Sequence, residues 1–396
     1  MPAVVLAHPL TQPYGLPVSP LVAAAAVAGL VLVTAFAAPQ SEERSVLRPE
    51  RNVASWGARL SAFQLVTRAA AVALLALAVV AGRLGVDDEL DNLAPALIVG
   101  AGWPLLVVGS VLVGPVWRWL DPWDTIARPF TRAQGDAEPG PVWPATVVAV
   151  GWVWYLSAYE DPLDPRSVGA ILAVYTIFTV GGCLAFGRTR WLGTSEPLGI
   201  LLSWLALLPR GRLTVWKPPR GAEALLGVFA GGVLFGAVRR SELWGSLNTV
   251  QGAEVVAGAG LVGFCAAAAG LLLLMAVAAE QLGARAAATH AAVPAVAAIV
   301  VAVALDRNRL STSIQLLPEL FGDPLGRGWD VFGEPGVDPD PLGTKGLLAL
   351  QLGLLALGHV AASVVLARHL ERLSRGPVAF ALSALASASV IALVSH

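Results

Sequence analysis

The chain has 396 residues, of which 56% are hydrophobic and only 13% are charged, and its formal net charge is −1. Soluble domains carry about 25% charged residues, so the composition excludes an ordinary water-soluble domain. The balanced charge also gives no sign of a nucleic-acid partner. Lipid accommodates an apolar surplus of this size, so we predict a single integral membrane domain over residues 1–396, with the lipid bilayer as a partner.

Long apolar stretches alternate with short charged ones along the chain. A helix needs about 20 predominantly apolar residues to cross the hydrocarbon core, and ten stretches come close to that length. The pattern predicts an all-α, polytopic transmembrane bundle. Its ten predicted spans are 18–38, 62–82, 94–115, 143–159, 167–187, 222–238, 252–279, 287–305, 346–367 and 377–394.

An eleventh apolar stretch, 198–208, is too short to cross the membrane. Arg188 and Arg190 precede it, and Arg210 and Arg212 follow it. Basic residues on both flanks suggest that both ends lie on the same side. Apolar runs of about 10–14 residues are often re-entrant or interfacial segments, and we predict one of these two forms here.

The charges at the junctions predict an orientation. One set of junctions is basic and includes 188–220, whereas the other set is mostly acidic and includes 87–91 and 160–164. Cytoplasmic junctions carry the excess of Lys and Arg, so the N- and C-termini are predicted to be extracytoplasmic. The predominance of arginine over lysine, with the abundance of Ala, Gly and Pro, suggests a high-GC bacterial genome, and we predict a multi-pass protein of the bacterial cytoplasmic membrane. Arg239 and Arg240 are exceptions, which either pair with acidic loop residues or indicate a wrong span count.

Polar side chains inside spans are expensive, and they are candidate functional residues by default. Arg68, Glu280, His290, Gln351 and His359 therefore form a candidate intramembrane site, all but Gln351 in the predicted cytoplasmic half. Simpler interpretations stay open. Arg68, Glu280 and His290 could reach the interface by snorkelling, and His359 could serve an interhelical hydrogen bond.

His290 and His359 are also weak candidates for metal or haem ligands. A transition metal usually has a third or fourth protein ligand, and the sequence offers none that is evident, so no cofactor is expected. Cys183 and Cys265 both lie in apolar runs, which is typical of small packing residues.

The longest predicted extracytoplasmic loop is 306–345. It combines Gly and Pro turns with Asp323, Arg327, Trp329 and Asp330. Its aromatic side chains favour burial, so the loop is either a plug packed on the helix ends or a cap that faces substrate. In the second interpretation, these four residues form a candidate extracytoplasmic site.

The segment 117–124 holds three tryptophans, at Trp117, Trp119 and Trp123. Tryptophans at a span end are typical of an interfacial belt, and Asp121-Pro122 predicts the start of a short helix. Contact with a partner or substrate is the alternative.

No metalloprotease, nucleophile-elbow, P-loop or dinucleotide motif is present. The runs 289–294, 322–333 and 358–361, with Gln351 between the last two, resemble a family of bacterial integral membrane proteins called fenitrothion hydrolase-like. The resemblance implies a membrane-embedded hydrolase, after an organophosphate-cleaving member. Gly236 and Val303 stand where that family has Asp and His, so the resemblance assigns no intact catalytic set.

Three functions are compatible with these patterns. A permease or transporter for a small solute is favoured, because ten spans and Gly- or Pro-interrupted helices such as those at Pro294 and Gly358 suit transport. A membrane-embedded hydrolase or metal-dependent enzyme is the second, and a non-catalytic subunit of a membrane complex is the third. The corresponding partners are a small-molecule substrate or other membrane subunits, and whether the protein is an enzyme stays open.

Overall fold

The computed structural model describes residues 20–38, 61–131, 140–209, 211–241, 244–245, 253–305, 307–329, 331–333, 336–338, 341–370 and 375–394. These parts of the chain form helices and no strand. The helices are α1 Pro20–Ala37, α2 Ala62–Leu84, α3 Pro95–Leu112, α4 Val116–Leu120, α5 Pro122–Ala127, α6 Trp143–Ser157, α7 Pro165–Phe186, α8 Arg188–Thr194, α9 Pro197–Leu205, α10 Ala222–Arg239, α11 Ala253–Glu280, α12 Arg285–Ala304, α13 Arg307–Gly322, α14 Gly343–His369 and α15 Gly376–Val394. Short 3₁₀ turns lie at Arg128–Phe130 and Leu213–Val215.

The all-α fold class is confirmed. Within the described ranges, eight helices are long and apolar enough to cross a membrane, namely α2, α3, α7, α10, α11, α12, α14 and α15. The other two predicted spans also fall on helices, but α1 has 18 residues and α6 has 15. At about 1.5 Å per residue, α6 is shorter than the hydrocarbon core of about 30 Å. These apolar helices indicate a multi-pass membrane protein.

The two ends of the bundle differ in charge. α2 and α7 run antiparallel and meet at one end, where a Cβ on Gly82 would lie 2.7 Å from the Pro165 carbonyl oxygen. This is the acidic end, and it carries Asp87 and Glu160. The opposite, arginine-rich end holds the first turns of α2 together with α4, α5 and α8. The acidic and basic junctions that alternate along the sequence thus lie at opposite ends of the bundle.

Arg239, which the charge pattern left unexplained, lies at the acidic end. Its Nη1 donates hydrogen bonds to the carbonyl oxygens of Ser157, at 3.2 Å, and Tyr159, at 2.8 Å. A cation at the last carbonyls of a helix is favourable because the helix dipole is negative there. Arg239 therefore binds the end of α6, just before the acidic pair that begins at Glu160.

The centre of the bundle is formed by α10 and α12, which are the most buried of the eight long helices. Small residues allow close approach of helix backbones. A Cβ on Gly231 of α10 would lie 2.7 Å from the Cα of Cys265 in α11, and one on Gly358 of α14 would lie 2.7 Å from the Pro294 carbonyl oxygen of α12. The α10–α11 and α12–α14 pairs are therefore in direct backbone contact.

The short stretch 198–208 forms α9, a helix of nine residues and so about 14 Å long, which cannot cross the membrane. Leu201, Leu202 and Leu205 are fully buried. The helix contacts α3, α4, α6, α8 and α12. Its burial among other helices matches a re-entrant segment better than one lying flat on the interface.

The predicted loop 306–345 contains a helix, α13, that the sequence analysis did not predict. Leu316, Leu317 and Leu320 of α13 form an apolar cluster with Ala81 of α2 and Ala96 of α3. Polar residues interrupt the segment, so its hydropathy resembled that of a loop, whereas its apolar side chains repeat at helical spacing. α13 covers the acidic ends of α2 and α3 with these leucines, whereas the aromatic side chains on which the plug interpretation was based are exposed, at 55% for Trp329 and 66% for Phe332.

Candidate functional site

Two of the predicted intramembrane residues, Gln351 and His359, form hydrogen bonds with backbone carbonyl groups. Gln351 Nε2 donates to the carbonyl oxygen of Ala302 at 2.8 Å, which joins α14 to α12. His359 is fully buried, and its Nδ1 lies 2.8 Å from the carbonyl oxygen of Leu355 one turn earlier. The Gln351 hydrogen bond is interhelical, whereas the His359 contact lies within α14 and is not the interhelical hydrogen bond that the sequence analysis offered for it.

Glu280 and His290 lie near the turn between α11 and α12. Arg285 bridges Glu280, at 2.9 Å, and Glu223 of α10, at 3.3 Å. His290 is buried, with Nε2 at 2.8 Å from the carbonyl oxygen of Trp216. Across the described ranges, no group of three or more His, Cys, Asp or Glu side chains is arranged to hold a metal ion.

Arg68 belongs to a charged cluster that the sequence did not reveal. The carboxylate of Asp124, on α5, accepts hydrogen bonds from Arg68 of α2 and Arg188 of α8. Arg128 donates to the same carboxylate at 2.7 Å. Asp124, Arg68 and Arg188 are buried, and Arg128 is partly exposed. We call these four residues the Asp124 cluster. It joins three helices at the arginine-rich end.

The position of Asp124 follows from the local sequence Asp121-Pro122. Asp121 caps α5, because its Oδ1 accepts a hydrogen bond from the backbone N–H of Asp124 at 2.9 Å, and Pro122 occupies the first helical position. Arg68 completes the arrangement by donating from Nε to the Arg118 carbonyl oxygen at 2.9 Å. The cap therefore turns the chain so that Asp124 faces α2 and α8.

Glu196 is the third buried acid of this region, after Asp121 and Asp124. It caps α9 by accepting hydrogen bonds from the backbone N–H groups of Leu198, at 3.0 Å, and Gly199, at 2.6 Å. The hydroxyl of Tyr175 donates to it at 2.6 Å. A Cβ on Gly199 would lie 2.7 Å from Trp117 Nε1, so glycine allows the tryptophan to approach the cap.

The three acids respond differently to burial. Burial, together with the charge of Asp124, raises the pKa of Asp121 well above its usual value. Burial also acts to raise the pKa of Asp124, but the Arg128 hydrogen bond and the charge of Arg68 outweigh it and lower that pKa. Burial raises the pKa of Glu196 to about 7. The site thus places one carboxyl group with a lowered pKa next to two carboxyl groups with raised pKa values.

A large cavity of about 380 Å³ lies against this cluster. Trp117, Pro122 and Trp123 form its wall at the arginine-rich end, and Ser157 lies toward the acidic end. Apart from Ser157, every lining residue is aliphatic, aromatic, proline or glycine. Trp117 and Trp123 are buried, so these two tryptophans are cavity walls and not part of the interfacial belt that the sequence suggested.

A small cavity of about 80 Å³ adjoins the large one toward the acidic end. Both are lined by Trp103, Ser157 and Val233, and the small cavity also reaches Arg240. Its walls further include the residues at which the chain departs from the fenitrothion hydrolase-like pattern, Gly236 and Val303.

The predicted extracytoplasmic residues form a local turn. Asp323 Oδ2 accepts a hydrogen bond from the backbone N–H of Trp329 at 2.9 Å. The pKa of Asp323 is lowered, chiefly because its carboxylate accepts a hydrogen bond from the backbone N–H of Arg327. The Trp329 side chain is exposed, and Asp330 lies outside the described residues. The structure therefore brings Asp323, Arg327 and Trp329 together in one turn.

Comparison of the chain with protein-family models, curated protein sequences and solved structures found no match. The resemblance to the hydrolase-like family stays a prediction based on the quoted residues.

Proposed function

We propose that this protein is a permease-type protein of the bacterial cytoplasmic membrane that binds a small apolar or amphipathic solute in the large cavity. The observation that carries the proposal is the cavity itself. Its volume of about 380 Å³ falls within the range of about 300–1,000 Å³ that is usual for small-molecule sites. Three of the helices that line it, α2, α3 and α10, are long enough to cross the membrane.

The lining selects the chemistry of the solute. A charged or strongly polar molecule would lose its hydration inside such a cavity and find only Ser157 and tryptophan N–H groups as partners. Burying polar groups without hydrogen bonds costs several kcal/mol. Trp103, Trp152 and Phe229 offer flat apolar surfaces instead, which favours a hydrocarbon or ring system.

The two cavities adjoin one another along the bundle, which supports transport. Together they extend from Trp123, beside the Asp124 cluster, to Arg240 at the acidic end. The first part of α3, Pro95–Gly102, is π-helical and lines the large cavity with Ile98 and Val99. Such irregular turns occur frequently at functional sites.

The two cavities lie apart from the candidate residue His359, which lines neither of them. Gly358 packs directly against Pro294 and Ala298, so the α12–α14 interface near His359 is tightly packed. The large cavity lies instead among α2, α3, α6, α9 and α10, and the small cavity also reaches α12 at Val300 and Val303. Since Gly236 and Val303 replace the acidic and histidine residues of the resembled family on the small cavity, we favour solute binding over hydrolysis.

A bulky residue between the two cavities is expected to weaken binding. Val233→Phe places a larger side chain where both cavities meet, in space that a bound ligand would otherwise occupy. The affinity for a dansyl-labelled medium-chain fatty acid should therefore fall about tenfold or more. Energy transfer from tryptophan to the dansyl group in the purified full-length protein measures it.

Val238→Phe is the matched control. Val238 lies on the same helix and is also half-buried, but it lines neither cavity, so the affinity should stay close to that of the wild type. Equal affinity in all three proteins would contradict the proposed site. No saturable binding to the wild type would contradict solute binding and favour a non-catalytic subunit of a membrane complex.

The proposed orientation places the arginine-rich end in the cytoplasm, following the excess of basic residues there. Cysteines at two exposed positions test it: Trp329→Cys near the acidic end and Arg190→Cys at the arginine-rich end. The natural Cys183 and Cys265 are buried and should not react. A membrane-impermeant thiol reagent should label Trp329→Cys in intact cells and Arg190→Cys only after permeabilisation. The reverse pattern would overturn the orientation.

A further inference from the structure

The large cavity opens on the side of the bundle. Of its lining residues, only Leu74 of α2 and Leu105 of α3 are more than one-third exposed, at 38% and 48%. Both lie near the middle of helices that are long enough to cross a membrane. The opening therefore lies between α2 and α3, at mid-span depth.

The acidic-end rim of this opening is closed by apolar packing. Leu77 and Ala81 of α2 pack in one cluster with Ala96 of α3, and Leu320 of α13 covers them. The helix that the sequence did not predict thus closes the gap between α2 and α3 on this side.

The arginine-rich rim is closed by hydrogen bonds. Thr67 Oγ1 of α2 donates to the carbonyl oxygen of Trp119 at 2.6 Å, and Arg68 Nε donates to the neighbouring Arg118 carbonyl at 2.9 Å. A solute that came from the water at this end would have to pass the buried ion pairs between Asp124 and its arginines. The opening is consequently a window with two closed rims, and we call it the α2–α3 window.

In a membrane, a window at mid-span depth faces hydrocarbon, where lipid acyl chains are the surrounding molecules. The window residues and the cavity behind it are apolar, so a chain that slides through exchanges one apolar environment for another. We infer that the large cavity takes its ligand sideways from the bilayer through the α2–α3 window, and that this ligand is the acyl chain of a membrane lipid. This inference rests on the proposed function and names its substrate class.

Photolabelling tests the inference. The full-length protein is reconstituted in liposomes with a phospholipid that carries a diazirine halfway along one acyl chain, then irradiated and mapped by peptide mass spectrometry. Leu172, Leu202 and Phe229 line the cavity and are buried, so a lipid chain reaches them only from inside. We expect label on these three residues as well as on the exposed Leu184 of α7.

Leu105→Trp is expected to obstruct the window. It should reduce labelling of the three cavity residues several-fold and leave labelling of Leu184 unchanged, and Leu74→Trp should act in the same way. Leu112→Trp is the matched control, because Leu112 is an exposed leucine of the same helix that does not line the cavity. It should change neither signal.

The outcomes separate this inference from the proposed function. Label on Leu184 without label inside the cavity of the wild type would overturn lipid access. If the dansyl-labelled fatty acid still binds and Val233→Phe still weakens its binding, the result supports the binding site and contradicts only the entry of lipid through the window. Equal loss of cavity label in Leu105→Trp and Leu112→Trp would likewise contradict the window.

Discussion

Asp124→Asn is expected to lower the free energy of unfolding by about 3–5 kcal/mol, the usual cost of removing one partner from a buried ion pair. Asparagine keeps the size of the side chain but removes the charge that Arg68, Arg128 and Arg188 share. Arg68 and Arg188 would stay buried without that carboxylate. Thermal or denaturant unfolding of the purified protein in one detergent measures the change.

Asp87→Asn is the control for this prediction. Asp87 pairs with Arg166 at 3.4 Å, but both side chains are substantially exposed, Asp87 at 62%. Exposed ion pairs contribute about 0–1 kcal/mol because water and salt screen them. If Asp124→Asn and Asp87→Asn had the same small effect, the Asp124 cluster would not stabilise the arginine-rich end as described.

Gly231→Val is expected to destabilise the bundle by about 3 kcal/mol, at the upper end of the range for overpacked cores. A Cβ at this position would lie 2.7 Å from the Cα of Cys265. The obstacle is backbone and not a side chain that can turn away, so α10 and α11 would have to separate. The yield of monodisperse protein and its melting temperature should both fall.

Gly263→Val separates the effect of packing from that of the substitution itself. Gly263 lies on α11, the partner helix, and a Cβ there would meet no atom within 4 Å. Its melting temperature should stay close to that of the wild type. A comparable loss in both variants would indicate that glycine matters for the helix backbone rather than for the contact between α10 and α11.

Both predictions concern helices that form the wall of the large cavity, α5 and α10. Trp123, which forms part of its wall, directly precedes Asp124 on α5, and Val233 and Gly231 lie on the same helix. A folded but weakened Asp124→Asn protein should consequently bind the dansyl-labelled fatty acid less tightly, since α5 loses its ties to α2 and α8. In the proposed function, the cluster therefore holds the wall of the cavity in position without lining the cavity itself.

The positions of the long apolar helices could be predicted from the sequence, because the thickness of the bilayer sets about one length for every span. Their number was predicted less well: of the ten predicted spans, eight are helices long and apolar enough to cross a membrane, and α1 and α6 are shorter. The same reasoning recognised 198–208 as too short to cross. Asp121-Pro122 predicted the start of α5 because capping depends only on neighbouring residues. The 306–345 segment was harder, because a helix such as α13 that covers other helices is polar enough to resemble a loop.

The candidate site depended on tertiary structure. Asp124 lies 56 residues from Arg68 and 64 from Arg188 in the chain, and no local pattern links them. Long membrane helices are apolar on nearly every side, so hydropathy does not tell which faces meet. The apolar helices and the division of charge between the two ends were predicted from the amino-acid sequence by itself, whereas α13 was not. Only the packing of those helices decided that Asp124 joins three arginines and that Trp117 and Trp123 line a cavity.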